Sequence, residues 1–210
     1  MNQFDGAAFV RFLNTFADRI HESRDELTRL DSAIGDADHG INMDRGFTAV
    51  RAKLADLDGS DLGATAKAVG MTLISTVGGA SGPLYGTFFL RLGTAFGEAQ
   101  AVDAAGLGAA LRAGLEGVVQ RGKAEMDDKT MVDALSPAVD AYEAASDAGI
   151  AAGLEAAASA AAEGRDRITP LVARKGRASY LGERAADHQD PGATSTTILF
   201  ESLRDAFAES

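Results

Sequence analysis

Three aspartates fall close together in the segment Asp31-Ser-Ala-Ile-Gly-Asp-Ala-Asp-His-Gly40. Spacings of five and two do not place Asp31, Asp36 and Asp38 on one face of a helix, so their carboxylates converge only if the chain turns. Gly35 permits such a turn. Clustered carboxylates repel one another unless a cation lies between them, and oxygen ligands favour a hard ion, either Mg²⁺ or Ca²⁺.

The spacing argues against a calcium-binding EF-hand loop. Counted from Asp36, the fifth and twelfth positions are Gly40 and Phe47, where that loop requires oxygen ligands. Mg²⁺ instead uses a few carboxylates and completes its shell with water and phosphate oxygens. The segment therefore predicts a metal–phosphate site. The alternative is a solvated acidic turn whose aspartates cap helices.

Composition limits the classes of protein that fit. With 210 residues, 46% of them apolar, the chain can bury one sizeable core, so we expect a single domain over 1–210. The absence of cysteine excludes disulfides and thiolate metal sites. There is no signal-peptide pattern and no apolar run near the roughly twenty residues of a membrane span, which predicts a cytoplasmic protein. A net charge of −11 argues against nucleic-acid binding.

Apolar residues recur mostly at helical spacing, and no stretch alternates long enough to indicate a strand. The pattern predicts an all-α, antiparallel up-and-down bundle of eight helices joined mostly by short loops. The expected helices cover 4–30, 42–57, 62–77, a fourth helix capped by Ser81 and running through 88–96, then 104–126, 132–145, 150–171 and 195–208.

Alternate loops of such a bundle lie at the same end, which groups the loops at 31–40, 78–86, 127–130 and 175–194. The glycine-rich loop at 78–86 offers backbone N–H groups at a helix start, where an anion can bind. It lacks the GxxxxGK[ST] pattern of a P-loop. Taken alone it could be a plain turn, but beside the acidic segment it favours polyphosphate binding.

The loop at 175–194 is long for a compact domain, and such loops are usually functional or disordered. Its Arg177, Tyr180, Arg184 and His188 suit a lid over an anionic ligand, with a mobile surface loop as the alternative. Of the other histidines, His21 fits a surface or packing role. His39 is the stronger candidate for the site because it directly follows the acidic pair.

Four motifs resemble the family of the nucleotide-binding L subunit of dihydroxyacetone kinases. They are Leu-Asp-Ser-Ala-Ile-Gly-Asp-Ala-Asp-His-Gly-Ile-Asn-Met at 30–43, Gly-Gly-Ala-Ser-Gly-Pro-Leu-Tyr-Gly-Thr at 78–87, Asp-Lys-Thr-Met-Val-Asp at 128–133, and Gly-Arg-Ala-Ser-Tyr-Leu-Gly-Glu-Arg through Asp-Pro-Gly-Ala at 176–193. The chain has Ala37 where the family commonly has glycine. If that position needs a positive φ, alanine costs of order 1 kcal/mol.

The resemblance implies an eight-helix antiparallel barrel that holds ADP or ATP and two Mg²⁺ ions at one rim, beneath a lid loop. It implies that the metal ligands are Asp31, Asp36 and Asp38 and that no catalytic side chain lies in this chain. The nucleotide-contacting residues that it implies are His39 and Asn42 near the phosphates, Gly40 and Ile41 between them in the chain, Ala80 and Ser81 in the glycine loop, Gly122 and Met131 near adenine and ribose, and Arg177, Asp190, Pro191 and Gly192 in the lid.

The resemblance also implies a function. Bound ADP accepts a phosphoryl group from a phosphohistidine carrier, the M subunit of a sugar phosphotransferase system, and the resulting ATP phosphorylates dihydroxyacetone held on a separate K subunit. A homodimer is expected within that complex. Two alternatives stay open: the nucleotide domain of an ATP-dependent dihydroxyacetone or triose kinase, and a metal- or nucleotide-sensing regulatory module without turnover.

Overall fold

A computed structural model describes residues 3–57 and 60–208. Within these ranges there are nine α-helices, two 3₁₀ segments and two strands of two residues each. The α-helices are α1 Gly6–Glu22, α2 Arg24–Ile34, α3 His39–Leu54, α4 Leu62–Thr76, α5 Ser81–Phe96, α6 Ala104–Gly122, α7 Val132–Ala145, α8 Ile150–Ile168 and α9 Pro191–Ala208. The strands are β1 Phe4–Asp5 and β2 Ala101–Val102, and the 3₁₀ segments are Ser146–Ala148 and Arg177–Ala185.

The all-α prediction is confirmed, and the first predicted helix proves to be two. Ser23 separates α1 from α2 with a ψ of 1°, although hydrogen bonds continue on both sides of it. Its N–H donates to the carbonyl of Arg19 at 2.9 Å, and its carbonyl accepts from Leu27 at 2.9 Å. Serine competes for backbone hydrogen bonds and is a weak helix former, which fits a bend at this position.

The two short strands pair antiparallel, with Phe4 opposite Val102. We expected no strand, and this expectation was wrong at these four residues because two positions are too few to show a period of two. The pairing ends where Asp5 begins α1. There the Asp5 carboxylate accepts a hydrogen bond from the N–H of Ala8 at 2.8 Å, as an N-cap residue does.

One continuous apolar cluster extends through the fold from Phe4 to Phe207. Most helices pack against their neighbours in sequence, and α9 packs against both α8 and α1, so the end of the chain meets its beginning. Phenylalanines fill much of the centre, where the rings of Phe16 and Phe47 meet edge to face with centroids 4.6 Å apart. The barrel itself stays a prediction, supported by this order of contacts.

Several predicted boundaries shift. Helix α6 ends at Gly122 rather than 126, because Lys123 takes a left-handed conformation with φ of 51°. Helix α9 begins at Pro191 rather than Ser195, with proline at the favoured first position. The predicted lid loop contains the 3₁₀ segment Arg177–Ala185. Of the turn that the sequence suggests at 58–61, the first two residues lie outside the described part.

The helix start at the glycine loop also differs from expectation. Ser81 is the first residue of α5, and Ala80 occupies the cap position without a side-chain hydrogen bond. The Ser81 hydroxyl instead contacts the ring of His39. Across the described residues, no helix combines the length and apolar character that crossing a membrane requires.

Candidate functional site

The four predicted loops meet around one cavity of about 410 Å³. Its wall includes the acidic segment before α3, the glycine loop and first turn of α5, the end of α6 with the loop before α7, and both ends of the segment between α8 and α9. The prediction that alternate loops share one end of the bundle is therefore confirmed.

The acidic segment brings its three carboxylates together. Asp31, Asp36 and Asp38 each offer an oxygen atom within 4.8 Å of the others. One oxygen of Asp31 accepts hydrogen bonds from the backbone N–H groups of Asp38, at 2.8 Å, and His39, at 3.1 Å. Asp31 thus folds the loop that presents the other two carboxylates. A group of hard oxygen ligands at this spacing fits a small divalent cation such as Mg²⁺.

Two positions explain why the chain turns here. A Cβ atom on Gly35 would lie 2.0 Å from a carboxylate oxygen of Asp31, so a larger residue would displace that side chain. Ala37 has a φ of 62°, the left-handed conformation that disfavours a residue with a side chain. Position 37, where the family commonly has glycine, therefore does need a positive φ. Alanine there costs of order 1 kcal/mol of strain.

His39 lies buried at the start of α3 and joins a chain of polar side chains. Its Nδ1 lies 3.0 Å from the hydroxyl of Ser81, and its Nε2 lies 3.0 Å from that of Ser195. The hydroxyl of Tyr85 contacts Ser195 at 2.7 Å. Burial lowers the pKa of His39 to about 4, although Asp31 and Asp38 oppose this shift. His39 is therefore neutral near pH 7 and donates through only one ring nitrogen.

The sequence analysis missed Tyr85 and Ser195, and only one weak signal could have found them. Tyr85 follows Ser81 by four residues and so lies on the same face of α5. Nothing in the sequence connects Tyr85 with Ser195, which lies 110 positions further along the chain. The two residues meet only because the packing of α9 brings Ser195 to Tyr85.

The glycine loop meets the cavity at the start of α5. Gly79 has a φ of 65°, which glycine adopts without strain. A Cβ on Gly78 would lie 3.0 Å from the side-chain amide of Asn42. The first N–H groups of a helix lack partners within that helix, so the start of α5 at Ser81 can bind an anion.

The remaining wall is largely apolar. Gly122 and Met131, both predicted site residues, lie here, and a Cβ on Gly122 would come 3.1 Å from the side chain of Leu84. Other apolar residues of this wall are Pro83, Val118, Ala124 and Val132. Such a surface can cover the flat face of an aromatic or heterocyclic ring.

The loop between α6 and α7, together with the first turn of α7, contains two residues that the sequence analysis did not single out. Asp133 is fully buried, and its carboxylate accepts hydrogen bonds from the N–H groups of Asp127 and Thr130, the second at 2.9 Å. Lys129 is also buried and lines the cavity. Lys129 and Asp133 both belong to the motif at 128–133. In the sequence that motif supported only the family resemblance.

At the far side of the cavity, Asp190 caps α9. Its carboxylate accepts a hydrogen bond from the N–H of Ala193 at 2.7 Å, and Pro191 and Gly192 beside it also line the cavity. Burial raises the pKa of Asp190 to about 7, against the opposing effects of the Ala193 hydrogen bond and of Lys129.

Only part of the predicted lid approaches the cavity. Arg177 lines it, and a nitrogen of its guanidinium lies 3.0 Å from a carboxylate oxygen of Asp36. Tyr180 is 87% exposed. Arg184 and His188 are exposed as well, and neither is among the described residues that line the cavity.

Three predicted nucleotide contacts do not line the cavity in the described part of the chain. A Cβ on Gly40 would lie 2.0 Å from the carbonyl of Arg24, so this glycine allows α3 to pack on α2. Ile41 is 51% exposed and faces a separate surface groove. Asn42 is buried and accepts a hydrogen bond from Arg45 at 2.7 Å. Their contact with a nucleotide stays a prediction. His21 is exposed, as expected, and pairs with Asp44.

Comparison with known proteins gives a consistent result. The family model of the DAK2 domain matches residues 33–205. The chain is 46% identical over 196 residues to the ADP-binding subunit DhaL of the PEP-dependent dihydroxyacetone kinase of Escherichia coli, covering 92% of this chain and 93% of that protein. It is 39% identical over 199 residues to the ADP-binding subunit DhaL of the PTS-dependent dihydroxyacetone kinase of Lactococcus lactis, covering 95% and 96%.

Similarity also extends to larger proteins, of which the chain spans about a third. The L-erythrulose 1-kinase of Mycolicibacterium smegmatis is 33% identical over 196 residues, which are 34% of its length. The crystal structure of the dihydroxyacetone kinase of C. freundii in complex with AMP-PNP and Mg²⁺ matches with a TM-score of 0.73 and 25% identity, covering 95% of this chain and 33% of that one.

Proposed function

Because this chain belongs to the DAK2-domain family, we propose that it is the ADP-binding subunit of a phosphoenolpyruvate-dependent dihydroxyacetone kinase. The observation that carries the proposal is the cavity, in which a carboxylate cluster, a helix start suited to anions and an apolar wall lie side by side. These parts correspond to the metal ion, the phosphates and the base of a nucleotide. The relatives that match along nearly their whole length are named as such subunits.

In the proposed complex, Asp31, Asp36 and Asp38 hold Mg²⁺, and we propose two ions. The bound metal neutralises charge on the phosphate oxygens. The amides at the start of α5 hold phosphate oxygens, and Gly122 and Met131 lie along adenine and ribose. His39, neutral and hydrogen-bonded at both ring nitrogens, holds the Ser81 hydroxyl in place beside those phosphates. Arg177 and the Asp190–Gly192 segment close the other side.

Two phosphoryl transfers follow from this arrangement. In the first, the P–N bond of a phosphohistidine on the carrier, an M-type subunit, breaks as an oxygen of the ADP β-phosphate bonds to phosphorus and ATP forms. In the second, the terminal phosphoryl group moves to a hydroxyl of dihydroxyacetone on a K-type subunit, the hydroxyl proton leaves, and ADP is regenerated. We assign no catalytic side chain to this chain, whose part is to position the nucleotide and neutralise charge.

The remaining expectations belong to the same proposal. The chain acts as one nucleotide-binding domain, functions in the cytoplasm and forms a homodimer within the kinase complex. The continuous apolar cluster from Phe4 to Phe207 supports the single domain.

A reconstituted assay tests the function. Purified protein is mixed with phosphoenolpyruvate, the phosphocarrier chain, a K-type subunit and dihydroxyacetone, with no nucleotide beyond the ADP that co-purifies. We expect many turnovers per ADP, and no activity when the chain is given only ATP and dihydroxyacetone. If product formation stops after one equivalent and resumes on addition of free ATP, the nucleotide is an exchanging substrate and the proposal is wrong.

A second candidate function is the nucleotide domain of an ATP-dependent sugar kinase. The match to a third of the L-erythrulose 1-kinase and of the C. freundii enzyme favours it. Rapid exchange of bound ADP for labelled ATP would distinguish it from the leading proposal. A regulatory module without turnover would bind nucleotide and Mg²⁺ but would transfer no phosphoryl group to any K-type partner.

A further inference from the structure

Lys129 makes an unusual set of contacts beside the cavity. Lys129 is only 1% exposed. Its ammonium group donates hydrogen bonds to three backbone carbonyls. These belong to Thr169 at 2.8 Å, Leu171 at 2.8 Å and Ala185 at 2.7 Å. All three donor positions of the ammonium are therefore used.

The three carbonyls come from the two ends of one segment. Thr169 and Leu171 directly follow α8, whereas Ala185 is the last residue of the 3₁₀ segment Arg177–Ala185. We call residues 169–185 the lid segment. A single ammonium group thus joins the beginning of the lid segment to its end, and a further bond from the N–H of Arg174 to the carbonyl of Asp128, at 3.0 Å, ties its middle to the same loop.

The backbone around Lys129 is held in a conformation that places its side chain. Asp127 and Lys129 have φ values of 68° and 64°, which residues with side chains rarely adopt. The buried carboxylate of Asp133 accepts hydrogen bonds from Asp127 and Thr130 on either side of Lys129. Strained residues persist where their surroundings fix them, and such sites are often functional.

The contact at Arg177 is of a different kind. Arg177 pairs with Asp36 at 3.0 Å, and the two side chains are 65% and 34% exposed. Ion pairs exposed to water contribute little to stability. Lys129 therefore holds the two ends of the lid segment by three buried hydrogen bonds, and one exposed ion pair lies near its middle. Ala173, Ala178 and Ala185 of the lid segment also pack with Ile34 in a small apolar cluster.

We propose that Lys129 is a positioning residue that anchors both ends of the lid segment, so that the segment stays over the cavity and retains the nucleotide there. The nucleotide part of this inference rests on the proposed function. The anchor itself rests on the three carbonyl contacts. Lys129 acts through the backbone of the lid segment, and it takes no part in phosphoryl transfer.

The test compares Lys129→Met with Lys123→Met as a matched control. Lys123 carries the same charge and a similar left-handed φ of 51°, but its side chain is exposed. Two measurements are made on the full chain: amide hydrogen exchange followed by mass spectrometry, without nucleotide, and the rates of ADP association and dissociation in Mg²⁺ buffer. A Lys129→Arg variant, which keeps a charged donor, accompanies them.

For Lys129→Met we expect faster exchange confined to the lid segment and ADP dissociation accelerated about tenfold or more, with association little changed. A hydrogen bond from a charged group contributes about as much free energy as a tenfold rate change represents. Lys129→Arg should lie between this variant and the wild type, and Lys123→Met should match the wild type. If Lys129→Met fails to fold, the same two measurements on Lys129→Arg decide the question.

Two results would overturn the proposal. Exchange that rises throughout the helices would show a general stabilising role, and ADP dissociation that stays at the wild-type rate would show that anchoring does not retain nucleotide. A failure of the function proposed above is separate, because a wild-type chain that binds no ADP would still reveal the anchor through localised exchange in Lys129→Met.

Discussion

Arg177 and Asp36 lie 3.0 Å apart, so the segment between α8 and α9 touches the carboxylate cluster directly. The same carboxylate group is a predicted metal ligand. The proposed closure over the cavity and the proposed metal site therefore share one side chain. Any change at Asp36 is expected to affect both, whereas a change at Arg177 affects closure first.

The first prediction concerns Arg177→Ala. ADP should dissociate several-fold faster while Mg²⁺ affinity and helical content stay near their wild-type values, because an exposed ion pair contributes at most about 1 kcal/mol. Dissociation is measured by dilution of the labelled complex into excess competitor. Arg184→Ala is the matched control, since Arg184 lies in the same 3₁₀ segment but outside the cavity wall. Equal rates for both variants would contradict a role for Arg177 in closure.

The second prediction concerns the carboxylate cluster. Asp36→Asn and Asp38→Asn should each weaken Mg²⁺ binding by more than about tenfold, a loss that even an outer-shell partner of a metal can cause. ADP affinity should fall together with Mg²⁺ affinity, because the bound metal neutralises negative charge on the ADP phosphates. Titration calorimetry in the presence of Mg²⁺ measures both.

Asp25→Asn is the control for this pair, because Asp25 is an exposed aspartate on the neighbouring surface groove. Its affinities should equal those of the wild type. Wild-type ADP affinity in Asp36→Asn and Asp38→Asn would remove the metal assignment. Asp31→Asn is less informative alone, since Asp31 also holds the backbone N–H groups of Asp38 and His39 and its loss would disturb the loop itself.

The sequence predicted the helices well where apolar periodicity was long, and it failed where a boundary depended on a single residue. The spacing of Phe9, Phe12, Phe16 and Ile20 shows that a helix exists, but it continues through Ser23 with no sign of the bend. Likewise the start of α9 depends on the capping carboxylate of Asp190, whose local pattern we had assigned to a lid.

The site divides in the same way. Carboxylates close in sequence, such as Asp36 and Asp38, could be placed together because short chain segments limit their separation. The contacts of Lys129 with Ala185 and of Tyr85 with Ser195 could not be predicted, since they join residues 56 and 110 positions apart. Such pairs depend on how whole helices pack, which periodicity alone does not specify.

The third prediction is a pH dependence of stability at Asp190. The pKa of this buried carboxyl is about 7 in the folded chain and about 3.9 when unfolded. The folded state therefore binds the proton more tightly, so the stability that the group contributes below about pH 4 is lost as the pH rises towards 7. Asparagine is also a good N-cap residue and does not titrate.

The free energy of unfolding of Asp190→Asn, measured by urea denaturation from pH 5 to 7.5, should accordingly rise relative to the wild type as the pH increases. The wild type loses about 1.4 kcal/mol for each pH unit between the pKa of Asp190 in the unfolded chain and its pKa in the folded chain. The relative gain of Asp190→Asn over the range measured is therefore at most about 3 kcal/mol. A difference between the two proteins that is constant over this range would show that Asp190 does not titrate there.

The fourth prediction concerns the strained turn before α3. Ala37 has a φ of 62°, so Ala37→Gly should stabilise the folded chain by roughly 0.5 kcal/mol, the relief of left-handed strain being partly offset by the greater freedom of glycine in the unfolded state. Mg²⁺ affinity should be unchanged or slightly higher, because the carboxylates keep their positions. Gly35→Ala is the opposite test at the neighbouring position: its Cβ would lie 2.0 Å from an oxygen of Asp31, so it should lower both stability and Mg²⁺ affinity. Urea denaturation and metal titration of the two variants measure these effects, and an Ala37→Gly protein less stable than the wild type would mean that the turn does not carry the strain assigned to it.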